Sequence, residues 1–162
     1  DLHLSIRRQR QMCIRDRVEA AKTKAVSLAK IEDLKHTKSI NGGLWWPLID
    51  AGYVYRLVGE NLALNIEIPE EVVSSWMGSP SHRENILERS FEDIGVAVAS
   101  GYFEGLPASY LVMYTATPKS DRVLGAFSEN KKSEEEIVKE LMDTIIALLK
   151  EILLIQKNLY VS

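Results

Sequence analysis

The chain is poor in the residues that would assign it at once. A single cysteine, Cys13, stands among 162 residues, so no intramolecular disulfide forms and cysteine usage carries no information on redox compartment. No apolar run approaches the roughly 20 residues that cross a bilayer. Arg7, Arg8 and Arg10 are followed by Gln11, Met12, Cys13 and Ile14 with no apolar h-region, so this chain shows no signal peptide. Positive charge is scarce too: 20 Lys and Arg stand against 23 Asp and Glu, for a net charge of −3. No basic stripe is interleaved with aromatics, so nucleic acid is not an expected partner. There is no phosphate-binding glycine loop and no G-x-S-x-G elbow, which leaves Ser79 and Ser81 without a nucleophile's setting.

What is present suffices for one core: the chain is 46% apolar, enough for a single domain with extensions. Residues 1–17 stand apart, with five arginines, two aspartates and no helical period. Gln11–Arg17 resembles translated sequencing adaptor, and residues 1–17 are read as a non-native or disordered tail. From Val18 to Lys35 the sequence turns helical, with Ala21, Ala25, Leu28, Ile31 and Leu34 at three- and four-residue steps and the lysines Lys22, Lys24 and Lys30 mostly outside the stripe. His36 closes that helix before a loop of Thr37, Ser39, Asn41, Gly42 and Gly43. Trp45 to Ile49 form an apolar segment, and Gly59-Glu60-Asn61 reads as a turn or helix start, with Asn61 as the cap.

Pro69 followed by Glu70 and Glu71 opens a second helix, buries Val72, Val73, Trp76 and Met77, and ends at Gly78. Ser79-Pro80 restarts a short helix with a capping hydroxyl and carries His82 in its first turn. Strand character follows. Ile94, Val96 and Val98 make one bulky face, while Gly95, Ala97 and Ala99 make a face small enough for a helix to approach closely. A second strand from about Tyr110 to Ala116 completes an antiparallel hairpin. The polar stretch 119–132 is a linker. Ser133 and Glu136 form a capping box for a helix over 133–162, in which Leu141, Ile145, Leu148, Ile152, Ile155 and Leu159 draw a coiled-coil-like seam. Burying that seam calls either for self-association through 137–159 or for docking on the domain as a substitute cover. Helices and strands in runs favour an α+β layered domain.

The ordered set Leu34-Lys35-His36-Thr37, Gly52-Tyr53, Gly59-Glu60-Asn61, Trp76 with Ser79-Pro80-Ser81-His82-Arg83, and Phe91-Glu92-Asp93-Ile94-Gly95-Val96 resembles the CAP superfamily (SCP-like domain; cysteine-rich secretory protein, antigen 5, pathogenesis-related 1) in its short bacterial form. The resemblance covers roughly 20 to 118. It implies a three-layer α-β-α sandwich over 18–118 without the family's first helix, and an extracellular or cell-surface location. It also implies a cavity holding His36, Glu60 and His82, with Ser79 where the second acid usually stands and Asn61 alongside. Two imidazoles and a carboxylate are the ligand set of an open zinc site, so His36, His82 and Glu60 are the candidate ligands of a divalent metal. Two functions follow as expectations: a module binding a small ligand, lipid or peptide in that cavity, or a metal-dependent hydrolase or protease with Glu60 as third ligand or general base.

Overall fold

A computed structural model describes residues 2–36, 45–65, 68–119 and 134–160. In chain order the elements are α1 (Leu2–Ile31), α2 (Trp46–Asp50), β1 (Tyr55–Leu64), α3 (Pro69–Gly78), α4 (Pro80–Leu87), β2 (Asp93–Phe103), β3 (Leu106–Pro118) and α5 (Glu134–Tyr160). The strands form one antiparallel sheet in the order β1-β3-β2, so β3 is central and β1 and β2 are edges. Helices cover both faces. The architecture is the expected α-β-α sandwich.

The alternation read in β2 decides how the layers meet. Its small face, with Ala97 and Ala99, joins Ala20, Ala21, Ala25 and Leu28 of α1 and Tyr110, Val112 and Tyr114 of β3 in one core. A Cβ on Gly95 would lie 2.6 Å from the Arg17 carbonyl carbon, and one on Gly101 would lie 2.8 Å from the Ala29 Cβ. Contact at both ends fixes the direction of α1. Between Arg17 and Ala29 a helix advances about 18 Å, and between Gly95 and Gly101 a strand advances about 20 Å, so α1 runs along β2 in the same sense. The bulky face of β2, with Val96, packs with Leu111 and Met113 of β3 under Val72, Val73 and Trp76 of α3, Ile86 of α4, and Ile145 and Leu149 of α5.

Several expectations change. Helical backbone runs back to Leu2, so the boundary expected between residues 17 and 18 falls inside α1. Arg17 is only 3% exposed. Its Nη1 lies 3.0 Å from Asp93 Oδ2, and its guanidinium sits 5.5 Å over the Tyr53 ring. The Tyr53 hydroxyl donates to the same Asp93 oxygen at 2.7 Å. An arginine in an arginine-rich run reads as solvated, yet this one is desolvated and paired with a carboxylate 76 residues away in β2. Residues 59–61 are neither turn nor helix start but the middle of β1, and Trp46–Asp50 is a short helix. The second hairpin strand begins at Leu106 rather than near Tyr110. Ser79 stands at the N-cap of α4 with its hydroxyl making no cap bond. Ser133 and the loop 37–43 lie outside the described residues.

The final helix docks on the domain. Ile145 and Leu149 are fully buried against the sheet layer, Leu148 and Ile152 pack partly there, and Lys150 pairs with Glu70 of α3. The seam therefore serves as the cover of the second face. Leu149 lies outside the heptad reading, because one helix on a sheet buries a wider stripe than a two-helix seam. The side chains of Leu141, Ile155 and Leu159 lie outside the described residues.

Two stability outcomes follow. Ile145→Ala should cost about 2–5 kcal/mol, the range for emptying a packed aliphatic site, and lower the urea midpoint without changing the sedimentation coefficient. An unchanged midpoint would mean that α5 does not dock. Gly95→Ala should cost about 1–3 kcal/mol by forcing α1 off the sheet. Gly78→Ala is the control, because a Cβ there meets nothing within 4 Å.

Candidate functional site

Adjacent residues in a strand point to opposite faces. In β1 this sends Glu60 toward α1 and Asn61 toward α4. On the first side His36 Nδ1 lies 2.8 Å from Glu60 Oε1. An ionised carboxylate only accepts, so in this pair Nδ1 is the donor. Lys24 Nζ lies 3.9 Å from Glu60 Oε2. On the second side Asn61 Nδ2 donates to the His82 carbonyl at 3.1 Å. Asn85 Nδ2 donates both to the Glu60 carbonyl at 3.1 Å and to Asn61 Oδ1 at 3.0 Å. These amide bonds fasten α4 to β1 around His82.

The imidazoles of His36 and His82 thus meet around the sheet edge, with ring centroids 6.2 Å apart and planes at 43°. α3 and α4 close that edge. The Trp76 indole donates to the Leu62 carbonyl at 2.9 Å, as Asn85 does to that of Glu60, so edge carbonyls that could recruit another strand are taken. Gly59 allows this approach, since a Cβ there would lie 2.7 Å from the Thr115 hydroxyl and 2.9 Å from Asn85 Oδ1.

Exposure grades steeply across the cluster. Lys24 and Glu60 are 2% and 3% exposed, and the His36 side chain is 49% exposed. His82 is half-buried, and that burial, followed by repulsion from His36, holds its pKa below the ordinary 6.5. Tyr114 lies opposite Glu60 in the strand register, fully buried. Burial, then the nearby Glu60 carboxylate, pushes its phenol well above the ordinary range. Its hydroxyl and Glu60 Oε2 have no hydrogen-bond partner among the described residues. The half-buried Trp45 packs edge-on against Tyr114, with centroids 6.1 Å apart.

Of the residues expected in one cavity, the structure brings His36, Glu60 and His82 together and places Asn61 behind them as a fastener rather than a cap. The expected metal set does not fit. Among the described residues no group of three or more His, Cys, Asp or Glu has an arrangement that could hold an ion. The chemistry agrees with the geometry. Glu60 Oε1 is engaged by a protonated nitrogen, Oε2 faces an ammonium, and Ser79 supplies no second carboxylate. A separate concavity of about 540 Å³ between α3 and α4 is lined by Met77, Pro80, Arg83 and Leu87 and contains none of the cluster. By helical period it opens on the face of α4 away from His82.

Sequence reasoning passed over Lys24, Asn85 and Tyr114. For Lys24 a signal existed. Positions 17, 20, 21, 24, 25 and 28 are the buried stripe of α1, and the lysine lies on it rather than outside it.

Comparison with known proteins agrees with this architecture. Residues 17–115 match the sequence profile described as "CAP: Cysteine-rich secretory protein family". The protein YkwD of Bacillus subtilis is 39% identical over 82 residues, covering 47% of this chain and 30% of YkwD, so the chain spans under a third of that relative's length. An extracellular protein containing an SCP domain from Bacillus anthracis superposes with a TM-score of 0.51 at 19% identity, over 63% of this chain and 32% of that one. An outer surface protein of Borrelia burgdorferi superposes with a TM-score of 0.52 at 21% identity, over 64% and 74% respectively. With well over half its residues matched to the profile and the sandwich in common with both structures, the chain belongs to the cysteine-rich secretory protein (CAP) family.

Proposed function

We propose that this CAP domain is a binding module whose site is the pair of imidazoles, His36 and His82, held over the β1 edge. One observation carries the reading. The two half-open rings are set 6.2 Å apart, while the groups holding them are buried and engaged: Glu60 with Lys24, and Asn61 with Asn85. Such a site offers imidazole nitrogens at its mouth and keeps its carboxylate and ammonium inside. A small ligand, a peptide or a lipid headgroup that presents N–H or O–H donors fits it. The half-buried Trp45 beside Tyr114 supplies apolar surface nearby. Extracellular or cell-surface placement is part of the proposal, supported by the descriptions of the two structural neighbours.

Hydrolysis is less well supported. A general base must reach the water it activates, and Glu60 is 3% exposed with one oxygen bound by His36. No serine or cysteine is placed as a nucleophile beside either imidazole by the described contacts.

The test is an imidazole-detected NMR titration with short peptides, small polar molecules and dispersed lipids. A ligand should shift the His36 and His82 ring resonances together, and His82→Ala should abolish binding while the melting temperature changes little. Hits that perturb only Met77 and Leu87 would move the site to the α3–α4 concavity and end the reading.

The affinity should also depend on pH with a definite sign. A ring that accepts a hydrogen bond must be neutral. Because the His82 pKa is held below 6.5, acceptance there persists below that pH and fails only on further acidification. Stability follows the same sense: between the folded and unfolded pKa values the unfolded chain binds more protons, so this contribution is full above about 6.5 and declines as pH falls. A His82→Asn variant should show a flatter melting profile between about pH 5 and 7, the span in which a free imidazole titrates.

A further inference from the structure

We infer that Lys24 is a built-in counter-ion that excludes divalent cations from the His36–Glu60–His82 site, so that the site takes neutral or anionic ligands. The Lys24 ammonium is 2% exposed and lies 3.9 Å from Glu60 Oε2, and both side chains are withdrawn from solvent. Zinc binds carboxylate oxygen at about 2.0–2.2 Å. An ion on Glu60 would therefore stand within roughly 6 Å of the ammonium, in a medium that screens poorly. The ammonium is positioned by its helix. It rides on α1, whose backbone touches β2 at Gly95 and at Gly101, on either side of position 24. Rotation outward would leave Glu60 buried and uncompensated, which is the costlier state. If an ion instead used only the imidazoles, two protein ligands would remain, fewer than the three of an open zinc site.

Charge bookkeeping points the same way. Lys24 and Glu60 cancel, so the mouth of the site consists of two imidazoles with no net negative charge to draw a cation in. The lysine is thereby the residue that determines ligand class. This inference shares its location with the binding reading above, but its readout uses zinc alone. Its failure would leave organic-ligand binding untouched, and failure of that binding would leave this result standing.

The experiment is calorimetric titration of the folded chain with zinc chloride, paired with thermal shift, for the wild type, Lys24→Arg, Lys24→Met and Lys24→Met/Glu60→Gln. The wild type and Lys24→Arg should show no stoichiometric uptake and no zinc-dependent rise in melting temperature. Lys24→Met should gain at least tenfold in affinity and melt higher with zinc, and the added Glu60→Gln should cancel both gains. Zinc affinity in the wild type equal to that of Lys24→Met, or a folded Lys24→Met that gains none, would overturn the inference. Should Lys24→Met fail to fold, Lys24→Gln removes the charge while keeping polar groups near Glu60. Independently of any lysine variant, stoichiometric zinc in the wild type that is lost in Glu60→Gln would show the carboxylate already available to metal and refute the proposal.

Discussion

Everything at the site depends on one constraint of extended backbone: neighbours in a strand cannot face the same way. Because Glu60 and Asn61 are neighbours in β1, a carboxylate must enter one helical layer and an amide the other. The carboxylate meets Lys24 and His36; the amide meets the His82 carbonyl and Asn85. Two helical layers are thus tied to the same strand at consecutive residues. The imidazoles they carry come together because the strand is an edge, around which both layers reach.

Buried charge is tolerated here because it is compensated within the α1 layer. Arg17 is matched by Asp93 and Lys24 by Glu60, each helix cation facing a strand carboxylate. Such pairs are weak contributors to net stability, yet removing one partner is severe. Their role is better read as registration. With close contacts at Gly95 and Gly101, they help set the position of α1 on the sheet. His36, five residues past the helix end, inherits that position.

Much of this is legible in the sequence, and what escapes it has physical reasons. The family resemblance and the layered fold are legible because ordered motifs and the small-against-bulky faces of β2 both survive in one chain. The bounds of α3 follow from proline, glycine and apolar period. β1 escapes because its middle is Gly59-Glu60-Asn61, three residues that alone favour turns; tertiary burial overrides that preference. Lys24 and Arg17 read as solvated because cations usually are, although their spacing lies on the buried stripe of α1. Asn85 gives no signal of its own, since an amide's role depends on the partner that tertiary structure brings.

The placement of α5 bears on how the domain comes into being during translation. α1, α2 and the three described strands precede residue 119, so the first face of the sheet can close as soon as β3 emerges. The second face cannot. Leu111 and Met113 of β3 and Val96 of β2 wait for Ile145 and Leu149, which leave the ribosome later, after a polar stretch. For that interval the nascent chain carries a nearly finished sheet with one greasy side only partly roofed by α3 and α4. That state is the one a chaperone would recognise and a crowded neighbour would trap. Docking of α5 completes the cover of that side.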